Sequence, residues 1–165
     1  MLKTSLILCA LFALASSIGS AQATVRVEPA NLQGPRPLPD QTGEAAIRDY
    51  VQSWQSLSAA FAQNRTDLLD PAFVGTAKDK LAQTIQQQVT LGICTRYQDR
   101  SHDLQIIFYS PDGLSLELTD KVEYDVELLD HSRVKTTQHL SSRYVIVLTP
   151  AEVQWRVRVF QSAFE

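Results

Sequence analysis

Apolar residues recur along this chain in two periods, and the change from one to the other divides it. In residues 43–63, Ile47, Tyr50, Val51, Trp54, Leu57 and Phe61 stand three or four positions apart, which is the spacing of one helical face. Asp40 or Thr42 can cap the start, and Glu44 favours the positive end of the helix dipole. Asn64-Arg65-Thr66 ends the helix. A helical turn or loop follows over residues 66–70, and Pro71 stops it. Phe73 and Val74 then read as plugs for a core. A second helix is predicted over residues 76–91 from the narrower stripe Leu81, Ile85 and Val89, with Gly92 at its C-cap.

From Ile93 onward the period is two, that of strands with one buried face. Strands are predicted over residues 93–97 and 104–109, joined by the polar turn Gln98-Asp99-Arg100-Ser101-His102-Asp103. Ser110-Pro111-Asp112-Gly113 is a strong turn signal. Leu114, Leu116 and Leu118 alternate next, and Thr119-Asp120-Lys121 reads as a bulge or bend. Val122, Tyr124, Val126 and Leu128 follow on one face, with Glu123, Asp125 and Glu127 on the other. After a turn at Asp130-His131-Ser132, residues 134–148 return and pair with residues 153–160 as a closing hairpin. In that hairpin Trp155, Val157 and Val159 face the core and Arg156 and Arg158 face out. The fold class is α+β: a curved antiparallel sheet of about five strands packed on N-terminal helices.

The first 42 residues belong to neither pattern. Lys3, the apolar run over residues 6–15 and Ala21-Gln22-Ala23 have the layout of a secretory signal cut after Ala23. That gives residues 1–23 as signal peptide, residues 24–42 as a Pro-rich extended lead-in, and residues 43–165 as a single domain. Thr24-Val25-Arg26-Val27 has the composition of an edge strand but little length. Export makes the protein periplasmic or secreted, with no membrane span after cleavage.

Cleavage removes Lys3 and no acid, so the mature charge is 14 − 18 = −4. Scattered, mildly acidic charge gives no footprint for nucleic acid. A chain of this size buries roughly two thirds of its unfolded surface, so it folds without staples. Cys9 leaves with the signal, and Cys94 remains as a lone, small buried hydrophobe. Asn64-Arg65-Thr66 is also a glycosylation sequon, which matters only in a eukaryotic secretory route.

Few patterns here carry chemistry. Asp99, Ser101, His102 and Asp103 hold the letters of a hydrolase triad, but adjacent residues on one turn cannot aim at one another, and a solvated turn is expected. His102, His131 and His139 lie apart, so no metal site is expected, and no phosphate loop or dinucleotide fingerprint implies a cofactor. Glu123, Asp125 and Glu127 form an acid row, expected on a solvated face with Arg156 and Arg158 as cross-strand partners. Tyr50, Trp54, Tyr97, Tyr124 and Trp155 either fill the core or line an apolar cavity with polar tips.

The Tyr50-x-x-x-Trp54 helix and the terminal Arg143-Tyr144-Val145-Ile146-Val147-Leu148 … Trp155-Arg156-Val157-Arg158-Val159 resemble the NTF2-like superfamily. That is the α+β cone of ketosteroid-isomerase-like and SnoaL-like proteins. The resemblance covers about residues 43–160. It implies a cone with the first helix across its mouth, and it leaves activity open, because one fold hosts many functions. The implied role is a noncatalytic binding or assembly module. Its cone would hold a small apolar ligand, and its sheet face would meet a second copy or another protein. The alternative is a cofactor-free isomerase, dehydratase or hydrolase, with Asp125 and His139 as candidates for an acid or histidine inside the cone.

Overall fold

A computed structural model describes residues 22–163. The predicted signal segment, apart from Gln22 and Ala23, lies outside the described residues. In chain order the elements are β1 (Thr24–Val27), α1 (Asp40–Gln63), a 3-10 turn (Thr66–Leu69), α2 (Gly75–Leu91), β2 (Ile93–Tyr109), β3 (Leu116–Asp130), β4 (Arg133–Pro150) and β5 (Trp155–Ser162). The strands form one sheet in the order β1-β2-β3-β4-β5. The pairs from β2 to β5 are antiparallel, as expected, while β1 runs parallel to β2.

α1 starts three residues before its predicted position, and no side chain caps it. Extended Pro39 holds the cap position, and its carbonyl accepts from the amides of Thr42 and Gly43. At the other end Asn64 adopts the left-handed conformation at φ 52°, which terminates helices at low cost for asparagine. Its side-chain amide donates to the Ile93 carbonyl at 2.7 Å, so the sequon's nitrogen is held inside the fold. Gly92 closes α2 in the same left-handed region, at φ 68°.

The helices lie on the inner face of the sheet. Ala46, Tyr50, Trp54, Leu57 and Phe61 of α1 are buried with Leu104 and Ile106 of β2, Leu116, Leu118 and Val122 of β3, Ile146 and Leu148 of β4 and Val157 of β5. Phe73 is the expected plug. It is buried and bridges to Val157, with the Val157 amide donating to Ala72 at 2.8 Å and the Val74 amide donating to Val157 at 2.9 Å.

Two predicted breaks are absent. Residues 98–103 and 119–121 lie within the continuous strands β2 and β3. Polar residues there are compatible with a strand because their outer members meet solvent and their inner members bond to one another, as described below. The lead-in is part of the sheet. Beyond β1, the amides of Glu28, Asn31 and Gln33 donate to the carbonyls of Leu104, Ile106 and Ile107 at 2.8, 2.9 and 2.7 Å. Leu32 and Leu38 pack on the core. Arg36 donates to the Pro111 carbonyl, and its guanidinium lies 4.9 Å over the Tyr109 ring. Prolines suit such an edge because they need no ladder donor.

β1 leaves the first half of β2 uncovered, and helix side chains take over there. Asn64 bonds the Ile93 carbonyl, Gln88 Oε1 accepts from the Thr95 amide at 3.0 Å, and Ser58 Oγ donates to the Tyr97 carbonyl at 2.6 Å. Open strand edges invite other chains, and these three side chains close this one.

The terminal hairpin forms, with an altered register. A shift between Val147 and Leu148 leaves Val157 buried, Arg158 exposed and Arg156 half-buried. Neither arginine reaches the acid row of β3, because β4 stands between β3 and β5. That row pairs instead with β2 and β4, through Arg96–Glu127 at 2.9 Å and through Arg100 and His139 on Asp125.

Candidate functional site

β2 carries an extra residue at Arg100. Asp99 pairs with Tyr124, and Ser101 pairs with Glu123. Strand side chains alternate between faces, so residues three apart should point opposite ways. One extra residue resets that alternation. Asp99 and His102 therefore both project inward, while Arg100 turns outward and its Nε donates to Asp125 Oδ2 at 2.9 Å.

Inside, His102 is held between two carboxylates. Its Nδ1 lies 2.7 Å from Asp120 Oδ2, and its Nε2 lies 3.3 Å from Asp99 Oδ2. Tyr50 also donates to Asp120 Oδ2, at 2.7 Å, and the Trp54 indole N–H donates to the Tyr50 oxygen at 3.2 Å. Tyr50, His102 and Asp120 are fully buried. Asp120 Oδ1 is also buried and has no partner.

Burial opposes charge on His102. The hydrogen bonds and charges of Asp120 and Asp99 outweigh it and raise its pKa to about 9. At neutral pH it is an imidazolium that donates through both nitrogens. The His102 bond holds Asp99 below the usual carboxylate range. Burial, and then the Asp120 charge, push the Tyr50 hydroxyl well up. A general base needs a free lone pair near its proton source, and His102 has neither a lone pair nor access. The group stores charge and fixes geometry.

Asp99 also lines a groove of about 950 Å³ between α1 and the start of β2, with Ala23 and Val25 on its β1 side. Half-buried Tyr97 and the almost fully buried Trp54 are its aromatic lining, and Ser58 and Ala62 belong to its α1 wall. This is the volume class of small-molecule sites. Trp54 anchors the ring cluster behind the groove. Its centroid lies 5.3 Å from His102, 5.6 Å from Tyr124, 5.9 Å from Phe160 and 6.2 Å from Tyr144. Tyr144 stacks on Phe160 at 4.5 Å, and the hydroxyls of Tyr124 and Tyr144 meet at 3.1 Å. Burial raises the Tyr97 and Tyr144 hydroxyls, and the bond to Tyr124 raises Tyr144 further.

Four of the five aromatic residues singled out in the sequence come together. Tyr50 bonds Trp54, Trp54 packs on Tyr124, and Tyr97 lies 6.1 Å from Tyr124. Trp155 stands apart at the start of β5, half-buried, with its backbone amide bonded to Asp49 Oδ2 at 2.8 Å. Asp125 and His139 do meet, at 2.8 Å, but on the outer face of the sheet. As acid and base inside the cone they are corrected, because their odd-numbered register on β3 and β4 points away from the core. Cys94 is half-buried.

The solvated turn expected at Asp99–Asp103 is corrected as well, since His102 is fully buried. Sequence reasoning missed His102, Asp120, Tyr144 and Phe160. A signal for the first two was present. His102-x-Leu104-x-Ile106 and Leu118-x-Asp120-x-Val122 each place one ionisable residue in an apolar alternating frame.

No protein-family model matches the chain, and no curated protein matches it by sequence. Solved structures do. The intermembrane-space region of the chloroplast protein ARC6 superposes with a TM-score of 0.62 at 15% identity, covering 79% of this chain and 100% of that one. A scytalone dehydratase-like protein from Novosphingobium aromaticivorans gives 0.51 at 13% identity, covering 76% and 89%. A protein of unknown function from Mycobacterium tuberculosis gives 0.50 at 13% identity, covering 76% of each chain. At these identities the likeness is one of fold. Among the described residues, no helix is long and apolar enough to cross a membrane.

Proposed function

The chain has the NTF2-like cone fold, and on that premise we propose that it is an exported, noncatalytic binding module. Its ligand is small and largely apolar and occupies the groove between α1 and β2. The locked state of His102 carries this reading: both nitrogens are engaged by carboxylates and the ring is fully buried. The groove beside it is bordered by Trp54 and Tyr97. Export rests on the three-part pattern of the first 23 residues, whose removal takes Gln22 and Ala23 out of the groove's lining and leaves Val25 as its β1 side.

The test is a titration of the purified protein with the neutral fluorescent amphiphile N-phenyl-1-naphthylamine. Saturable one-site binding is expected. Ala62→Phe, which puts a ring into the groove, should weaken it about tenfold without changing the unfolding midpoint. Absence of saturable binding to the wild type would overturn the reading.

One observation favours a second reading, a cofactor-free isomerase or dehydratase. Asp99 both lines the groove and bonds His102, so a carboxylate connects ligand space to the buried charges. In that reading Asp99 takes a proton from a carbon acid and His102 positions it. Exchange of the α-protons of 2-cyclohexen-1-one in heavy water separates the two. A wild-type rate above buffer that is lost in Asp99→Asn supports the enzyme, and a rate equal to buffer removes it.

A further inference from the structure

We propose that the free edge of β4 pairs with the same edge of a second copy of this chain, joining the two sheets antiparallel about His139. The contact uses the edge of the sheet and not its face. It is independent of the groove, because β3 lies between β4 and the groove's strand, β2.

β5 covers only half of β4. It pairs with the stretch from Tyr144 to Pro150, and the Ala163 amide donates to the Arg143 carbonyl at 2.8 Å. No described residue pairs with that side of β4 before Arg143. Backbone groups along a strand point alternately to its two neighbours. The Arg143 carbonyl faces the lane of β5, so the N–H and C=O groups of Ser141, His139 and Thr137 face the same lane. Those of Ser142, Leu140 and Gln138 turn to β3. Ala163 closes the lane at one end. At the other, Lys135 is left without a partner, because Thr136 pairs with Leu128 and Val134 with Leu129, and such a bulge bends the strand.

Natural edges are kept from pairing by proline, charge, bulges or covering side chains. Residues 136–142 contain no proline, lysine, arginine or carboxylate, and those before Ser142 are all exposed. The edge of β2 is closed by Asn64, Gln88 and Ser58. Among the described residues, no side chain does this for β4.

A second copy fits because the run is its own complement. A two-fold axis at His139 sets that residue opposite its own copy and Thr137 opposite Ser141 of the second copy. Each of these residues then gives and receives one backbone bond, and the lane keeps no open donor or acceptor. The paired runs end at residues 136 and 142, short of β5 in both copies. On the inner face Leu140, 36% exposed, comes to lie beside Gln138 of the second copy. A strand contact this short buries less than a standard interface, so the expected dimer is a micromolar one.

Sedimentation velocity of the purified protein between about 1 and 200 μM tests this. A reversible shift from monomer to dimer is expected. His139→Pro removes the central donor, which an edge strand tolerates, and should weaken association at least about tenfold with the circular dichroism unchanged. His139→Ala keeps the backbone bond and should associate like the wild type. Should His139→Pro fail to fold, a cross-link decides. Residues opposed in a hydrogen-bonded antiparallel pair stand about 5.5 Å apart, within disulfide reach. In a Cys94→Ala background, mild oxidation should therefore link the copies through His139→Cys and not through Gln138→Cys. A protein that stays monomeric over the whole range would overturn the proposal. So would a dimer that His139→Pro leaves intact, or one that His139→Cys does not cross-link.

Discussion

Asp99 and His102 point to the same face of β2, three residues apart on a strand whose side chains otherwise alternate. Arg100 is the extra residue that makes this so. The bulge converts an exposed polar stretch into one wall of a buried charge cluster, and it sends a compensating arginine to the outer surface.

Asp120 accepts from both Tyr50 and His102, so it should be the most sensitive position in the cluster. Asp120→Asn leaves an imidazolium buried with less compensation, a situation that costs about 3–5 kcal/mol. Urea unfolding followed by tryptophan fluorescence measures it, and a cost below about 1 kcal/mol would contradict the network. Replacing His102 and Asp120 together by leucine should cost far less than the two single changes combined.

Stability should also depend on pH above neutrality. The folded pKa of His102, about 9, lies above its ordinary value of 6.5. Its contribution is therefore complete below about 6.5 and is lost as pH rises through about 9. The groups facing it are Asp99 on its own strand, Asp120 on β3, and Tyr50 and Trp54 on α1. Asp99 shifts the other way, so its contribution fades only in acid, as pH falls through its lowered value. Urea midpoints measured from pH 6 to 10 should decline across the upper range, by on the order of 2 kcal/mol. His102→Gln should flatten that limb.

Gln88 holds the edge of β2 through two bonds, accepting from the Thr95 amide and donating to Thr95 Oγ1 at 2.9 Å. Gln88→Leu is expected to cost about 1–3 kcal/mol, because it leaves a backbone donor unpaired. Amide exchange at Thr95 should accelerate well beyond the change at Leu104, which sits under the lead-in. Equal acceleration at both positions would mean the helix does not guard this edge.

Asp125→Asn and His139→Ala address the outer pair. Arg100 and His139 hold Asp125 below the usual carboxylate range, yet exposed ion pairs contribute little. Both variants should keep the wild-type unfolding midpoint and the affinity of the groove. Loss of binding in either one would restore these residues as part of the site.

Much of the architecture was readable because it follows from periodicity. The helix through Tyr50 and Trp54, the plug at Phe73, the glycine cap at Gly92 and the closing hairpin each come from local spacing and composition. The failures share a cause. A run such as Gln98-Asp99-Arg100-Ser101-His102-Asp103 looks like a turn when each residue is weighed alone. It becomes a strand only when Asp120, on another strand, satisfies the buried histidine. A bulge has no sequence mark of its own, so the inward frame was lost between Tyr97 and His102. Trp155 does pack against the core, as its size suggested, but from the first position of β5, half-buried and outside the ring cluster.

The pairing of β1 with residues 101–104 constrains the order in which this chain can be built. A polypeptide that emerges N-terminus first presents Thr24–Val27 long before its partner strand exists. Phe73 likewise waits for Val157, near the end of the chain. Contacts so distant in sequence slow folding. The native core therefore cannot be completed until almost all of the chain has been made.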